Sequence, residues 1–95
     1  MDNKPPEAFI VRVYGRVQGV GFRYSARQKA VQLKLTGWVR NEPDGSVALY
    51  FEGSCESCGL YLKWLERGPQ GASVINLTKK TARPQGTYKY FTIEY

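Results

Sequence analysis

The strongest constraint in this sequence is the way its apolar residues switch between two periods. Phe9 to Tyr14 alternates, with Phe9, Val11 and Val13 on one face and Ile10, Arg12 and Tyr14 on the other, which predicts a strand. From Phe22 to Leu33 the period lengthens. Phe22, Ala26, Ala30 and Leu33 form one stripe, while Arg23, Arg27, Gln28 and Lys29 lie off it, which predicts a helix. Thr36 to Asn41 reads as a strand again. Asn41-Glu42-Pro43-Asp44-Gly45 is a turn, because Pro43 presets φ and Asp44-Gly45 tolerates positive φ. Ser46 to Glu52 returns as the second arm of a hairpin, alternating Val47, Leu49 and Phe51 with Ala48, Tyr50 and Glu52.

Ser54 is placed to cap a second helix, with Glu56 in its first turn and a stripe of Cys58, Leu62 and Leu65. Gly68-Pro69 stops it. Val74 to about Arg83 reads as a strand with Ile75 and Leu77 as its apolar pair and a basic end in Lys79, Lys80 and Arg83. After the turn Pro84-Gln85-Gly86, a last strand runs from Tyr88 to Tyr95 with Phe91, Ile93 and Tyr95 on one face. The order is β-α-β-β-α-β plus a short final strand. Two helices with one apolar stripe each cover one face of an antiparallel sheet, which is the ferredoxin-like α/β sandwich, an α+β fold. The 95 residues suffice for one domain, expected over 8–95, behind a polar lead at 1–7 that is expected to be disordered.

That topology hosts many activities, so function has to come from particular residues. The chain contains no histidine, which removes the commonest general base and every Ser-His or Cys-His system. Cys55 and Cys58 are spaced C-x-x-C, and they read as a redox pair, as half of a metal site, or as helix residues with Cys58 on the apolar face. A tetrahedral zinc site needs four ligands, and there is neither a second cysteine pair nor a histidine to complete one. The net charge of +6 draws anions, whether nucleic acid, a membrane surface or a small phosphorylated molecule. No apolar run approaches the roughly 20 residues of a membrane span, and the polar start resembles neither a secretory signal nor a transit peptide. The cytoplasm is the expected compartment, and nothing demands more than a monomer.

The informative stretch joins the first strand to the first helix: Gly15-Arg16-Val17-Gln18-Gly19-Val20-Gly21. Glycines let successive N–H groups turn toward one concave point, and the helix start adds unpaired donors and a positive dipole end. That combination suits a phosphate-sized anion. Arg23 either stands free in solvent on the first turn or reaches the same anion with its planar guanidinium. Asn41 reads as a turn residue ahead of Pro43. There is no lysine at a P-loop position, and Gly19-x-Gly21 lacks the third glycine of a dinucleotide fingerprint. Phe22 and Trp38 are expected in the core, and Arg40 on the surface.

Gly15-Arg16-Val17-Gln18-Gly19-Val20-Gly21-Phe22-Arg23 resembles the signature loop of acylphosphatases. Thr36-Gly37-Trp38-Val39-Arg40-Asn41, followed by Asp44-Gly45-Ser46-Val47, resembles their second signature, and Gly68-Pro69 also matches. The resemblance covers about residues 8 to 95. It implies hydrolysis of an acyl phosphate, with Arg23 binding the substrate phosphate and Asn41 orienting the attacking water. It also implies a cradle of backbone amides from Arg16, Val17, Gln18, Gly19 and Val20, with Gly21 nearby, and no metal, no cofactor and no covalent enzyme intermediate. The physiological substrate is left open among acetyl, carbamoyl and glycolytic acyl phosphates. Lys34 stands where the family usually has glycine, and the cysteines belong to no family pattern. Two other readings share the topology: a non-catalytic anion sensor or maturation-type domain, and an RNA-binding module of RRM type. Ser46-Val47-Ala48-Leu49-Tyr50-Phe51 lacks the glycine-aromatic pattern of an RNP motif, leaving Tyr50 as the one candidate for base stacking.

Overall fold

Residues 4–95 are described by a computed structural model. Its elements are β1 (Glu7–Arg16), α1 (Phe22–Gln32), β2 (Thr36–Asn41), β3 (Val47–Gly53), α2 (Cys55–Arg67), β4 (Ser73–Ala82) and β5 (Phe91–Glu94). The strands form one sheet in the order β4-β1-β3-β2-β5. The expected ferredoxin-like arrangement is present. Of the expected lead, residues 1–3 lie outside the described residues, and Glu7 already belongs to β1, paired with Gly53.

β1, β3, β4 and β2 pair antiparallel, but β5 lies parallel to β2, with Gly37 opposite Phe91 and Val39 opposite Ile93. The sheet is therefore mixed rather than wholly antiparallel. The reason is topological. β4 and β5 occupy opposite edges, so residues 83–90 must cross the sheet before β5 can add to it. They cross on the face away from the helices. There the Glu52 carboxylate accepts from the backbone N–H of Gln85 (2.7 Å) and of Gly86 (3.1 Å), and from the Tyr50 hydroxyl (2.9 Å). Tyr88 packs on Tyr50 with ring centroids 5.2 Å apart. Both Tyr50 and Glu52 are buried, and the Tyr50 phenol is pushed up to about 12, first by burial and then by Glu52.

The core lies between the other face and the helices. Val11, Val13, Val39, Val47, Leu49, Phe51 and Phe91 meet Phe22, Ala26 and Ala30 of α1 and Cys58, Tyr61 and Leu65 of α2. The α2 stripe differs from expectation: Tyr61 is fully buried, and Leu62 packs at the margin. Tyr61 earns that place through its hydroxyl, which donates to the Ala26 carbonyl at 2.7 Å and ties the helices together. Its ring also meets Phe51 edge-on at 4.8 Å. Ile75 is 81% exposed, contrary to its expected partnership with Leu77. The β1–β4 register shifts between Tyr14 and Gly15, leaving Ile75 as the residue without a partner. Trp38 is likewise not in the core. It lies half-buried on the outer face, stacked against Tyr50 and covered by the Arg40 guanidinium.

Cys55 and Cys58 are free. The Cys58 thiol is pushed up to about 12, chiefly by burial, and it points toward the carbonyls of Glu7 and Gly53. Such a thiol stays protonated and behaves as a small apolar residue, as the helix-face reading expects.

α1 ends with Leu35 N–H donating to the Ala30 carbonyl and Lys34 N–H to the Val31 carbonyl, and Lys34 holds φ at 61°. Among the described residues Lys34 is the one non-glycine residue with positive φ. A side chain there costs about 1 kcal/mol, so Lys34→Gly is expected to raise stability by about that amount and Tm by about 4–8 °C. Calorimetry checks this, and an unchanged or lower Tm contradicts it. Glu52→Gln replaces one of two acceptor oxygens with a donor facing a buried N–H. Urea unfolding should show a loss of about 2 kcal/mol at unchanged m, whereas an unaltered midpoint would remove the carboxylate's assigned role in holding residues 83–90.

Candidate active site

The loop after β1 is shaped first by glycine. A Cβ on Gly15 would run into the Ser73 carbonyl of β4, so only glycine permits the close approach at the register shift. Gly21 caps α1 in the left-handed region at φ 75°. Between them, no carbonyl or side-chain oxygen of the described residues accepts from the N–H groups of Val17, Gln18, Gly19, Val20 or Gly21. Val17 is buried in the core and anchors the loop from beneath.

The Gln18 side chain fixes the loop sideways. Its Nε2 donates to the carbonyls of Glu42 and Ser46, each at 2.9 Å, so both amide protons are spent on the β2–β3 turn. That turn is itself braced. Glu42 N–H donates to the Ser46 carbonyl at 2.8 Å, and the Asp44 carboxylate accepts from both the N–H and the hydroxyl of Ser46. Ser46 holds the Asp44 carboxyl below its usual range. Arg12 and Arg40 pair with Glu42 at 2.9 and 2.8 Å. The loop and the end of β2 are thus held at a fixed separation.

Asn41 closes β2 on the same face as Val39, and Arg23 opens α1. Both line one cavity of about 160 Å³, together with Val17, Gly19 and Gly21 from the loop and Ile93 and Tyr95 from the chain end. Arg16, Gln18 and Val20 do not line it. Arg16 ends β1 opposite Ser73, and the Gln18 side chain points to the turn. The Oδ1 of Asn41 is buried with no hydrogen-bond partner. Buried polar atoms are nearly always satisfied, so this orphan on a cavity-lining residue marks a place for a ligand or water. The Arg23 guanidinium donates to the Glu94 carbonyl at 3.1 Å and lies 4.8 Å from the centre of the Tyr95 ring. One bond leaves most of its five donors uncommitted.

Sequence reasoning missed the contribution of the chain end. Ile93, Glu94 and Tyr95 reach Arg23 only because β5 pairs parallel with β2, beside α1. A four-residue strand gives too little periodicity to announce its pairing partner. The orphaned Asn41 oxygen and the Gln18 anchorage likewise depend on residues distant in sequence. The side chain of Tyr50, the candidate base-stacking ring, is buried beneath residues 83–90 and its hydroxyl is engaged by Glu52. Among the described residues no group of three or more Cys, Asp or Glu side chains could hold a metal ion.

Comparison with known proteins identifies the family. The acylphosphatase family model matches residues 9–93. An acylphosphatase from Trichormus variabilis is 44% identical over 90 residues, covering 90% of this chain and 89% of the relative. One from Methylococcus capsulatus is 48% identical over 83 residues, covering 87% and 90%. The crystal structure of acylphosphatase from Bacillus subtilis superposes with a TM-score of 0.90 at 32% identity, over 94% of this chain and 99% of that one. With a family model spanning nearly its whole length and relatives of this identity, the chain belongs to the acylphosphatase family, and it is an enzyme that hydrolyses acyl phosphates.

Proposed function

We propose that the phosphoryl group of the substrate sits in the 160 Å³ cavity, held by Arg23 and the loop N–H groups, while Asn41 orients the attacking water. The observation that carries this reading is that Asn41, whose Oδ1 is buried and unpartnered, lines the same cavity as Arg23. The amide oxygen accepts a hydrogen bond from the water, which directs an oxygen lone pair toward phosphorus. Water oxygen bonds to phosphorus as the bond from phosphorus to the acyl oxygen breaks, and the carboxylate leaves with that electron pair. The water's proton passes to the departing carboxylate or to the phosphate. An acyl phosphate already has a good leaving group, so holding it in line and spreading its charge supplies the catalysis. The backbone cradle extends over residues 16–21 in this reading, of which Val17, Gly19 and Gly21 line the cavity. A histidine base is not needed, and neither is a metal.

The enzyme acts as a cytoplasmic monomer in this reading. The two free cysteines suit a reducing compartment. Among the described residues no helix is long and apolar enough to cross a membrane.

Hydrolysis of benzoyl phosphate by the purified protein tests the assignment. Arg23→Ala should lower kcat/KM by about a thousandfold or more, the loss seen when a charge-stabilising arginine is removed from phosphoryl transfer. Asn41→Ala should lower kcat by about a hundredfold or more while inhibition by inorganic phosphate persists. A chelator should leave the wild-type rate unchanged. Near-normal turnover in either variant would sink the corresponding role.

A further inference from the structure

Glu42 follows Asn41 directly and is the first residue of the β2–β3 turn. The turn itself does not need a charge there. Pro43 and Gly45 supply the backbone geometry, and Asp44 accepts from Ser46. Yet every polar group of Glu42 is engaged. Its N–H donates to the Ser46 carbonyl at 2.8 Å, and its own carbonyl accepts from the Gly45 N–H at 3.1 Å and from Gln18 at 2.9 Å. Its carboxylate accepts from Arg12 at 2.9 Å through Oε1 and from Arg40 at 2.8 Å through Oε2, and only 15% of the side chain is exposed.

The strand register explains why two arginines converge on it. Arg12 of β1 and Arg40 of β2 both pair with Ala48 of β3, from opposite sides. Their backbones therefore stand two strand spacings apart, roughly 9.6 Å, with only a small side chain between them. Glu42 neutralises two guanidinium charges that would otherwise face each other across one residue. This clamp lies on the outer face, where Arg40 also covers Trp38, whereas Asn41 shares the inner face with Val39. Glu42, Arg12 and Arg40 do not line the phosphoryl cavity. A further branch from Arg40 to the Glu94 carboxylate spans 3.9 Å between half-exposed groups and contributes little. The clamp therefore acts on the end of β2, where Asn41 stands.

Building on the proposed role of Asn41, we propose that Glu42 is a positioning residue: held by two arginines on the face opposite the cavity, it fixes the end of β2 and so the aim of the Asn41 amide at the attacking water. A misaimed water slows turnover without loosening the phosphate, which Arg23 and the loop hold.

The test measures kcat and KM for benzoyl phosphate, and inhibition by inorganic phosphate, in Glu42→Gln alone and combined with Asn41→Ala. Glutamine keeps the side-chain length and removes the charge. Alone, Glu42→Gln should lower kcat about tenfold, with KM and the phosphate inhibition constant within about twofold of the wild type. Added to Asn41→Ala, it should lower kcat no further, because the group it aims is gone. Arg40→Gln, which removes one arm of the clamp, should repeat this pattern to a smaller degree. An unchanged kcat in Glu42→Gln overturns the proposal, as does a loss that persists in full on top of Asn41→Ala. A raised KM at unchanged kcat also overturns it, since the carboxylate then serves phosphate binding. Near-normal turnover in Asn41→Ala overturns the role of Asn41 itself, and its positioning falls with that role.

Discussion

Two hydrogen bonds from one carboxamide set the separation of the loop after β1 from the β2–β3 turn. The loop after β1 has its backbone donors free, and free donors alone would let it collapse onto the nearest acceptor. Gln18 prevents this by spending both amide protons on the Glu42 and Ser46 carbonyls. The bonds are short, and their acceptors belong to a turn already braced by Asp44 and by two arginines on Glu42. The loop is held open because its one long polar side chain is committed elsewhere. The order of causes runs from the turn to the loop to the cavity.

The opposite face of the sheet answers a different demand. A chain whose last two strands sit at opposite edges has to cross the sheet, and a crossing backbone carries donors that need acceptors. Glu52 meets two of them with one carboxylate. A buried carboxylate is costly to desolvate, and here three hydrogen bonds offset that cost. The crossing delivers β5 to the side of β2 next to α1. The outer face, which in other proteins of this topology serves to bind ligands, is here a structural device for reaching the inner one.

Much of this was legible in the sequence. Period-two and period-3.6 patterns located the elements to within a residue or two, except the last strand, which starts at Phe91 rather than Tyr88, because long stripes such as Phe22-Ala26-Ala30 report burial directly. Arg23 and Asn41 were readable because the glycine loop and the strand after the helix belong to recognisable signatures. Lys34 was readable as a misfit, and its φ of 61° matches the expected conformation. The illegible parts were decided by distant partners. Leu62 seemed the better core residue by hydropathy, but Tyr61 has a hydroxyl that reaches Ala26. Ile75 seemed apolar enough to be buried, but it fell at the register shift. Glu52 was placed only on the face opposite Phe51, and its burial depends on residues 83–90, whose Gln85 N–H it accepts from.

The parallel edge strand has one more consequence. β5 is only four residues long and pairs along one side, so it is the element most easily detached from the sheet. Its detachment would carry off the Glu94 carbonyl and the Tyr95 ring that hold Arg23, while the Tyr61 contact between the helices stayed intact. Loss of β5 alone would therefore change the shape of the pocket without unfolding the whole domain. An occupant that engages Arg23 would oppose that loss, so that ligand binding and the ordering of the chain's last residues reinforce one another.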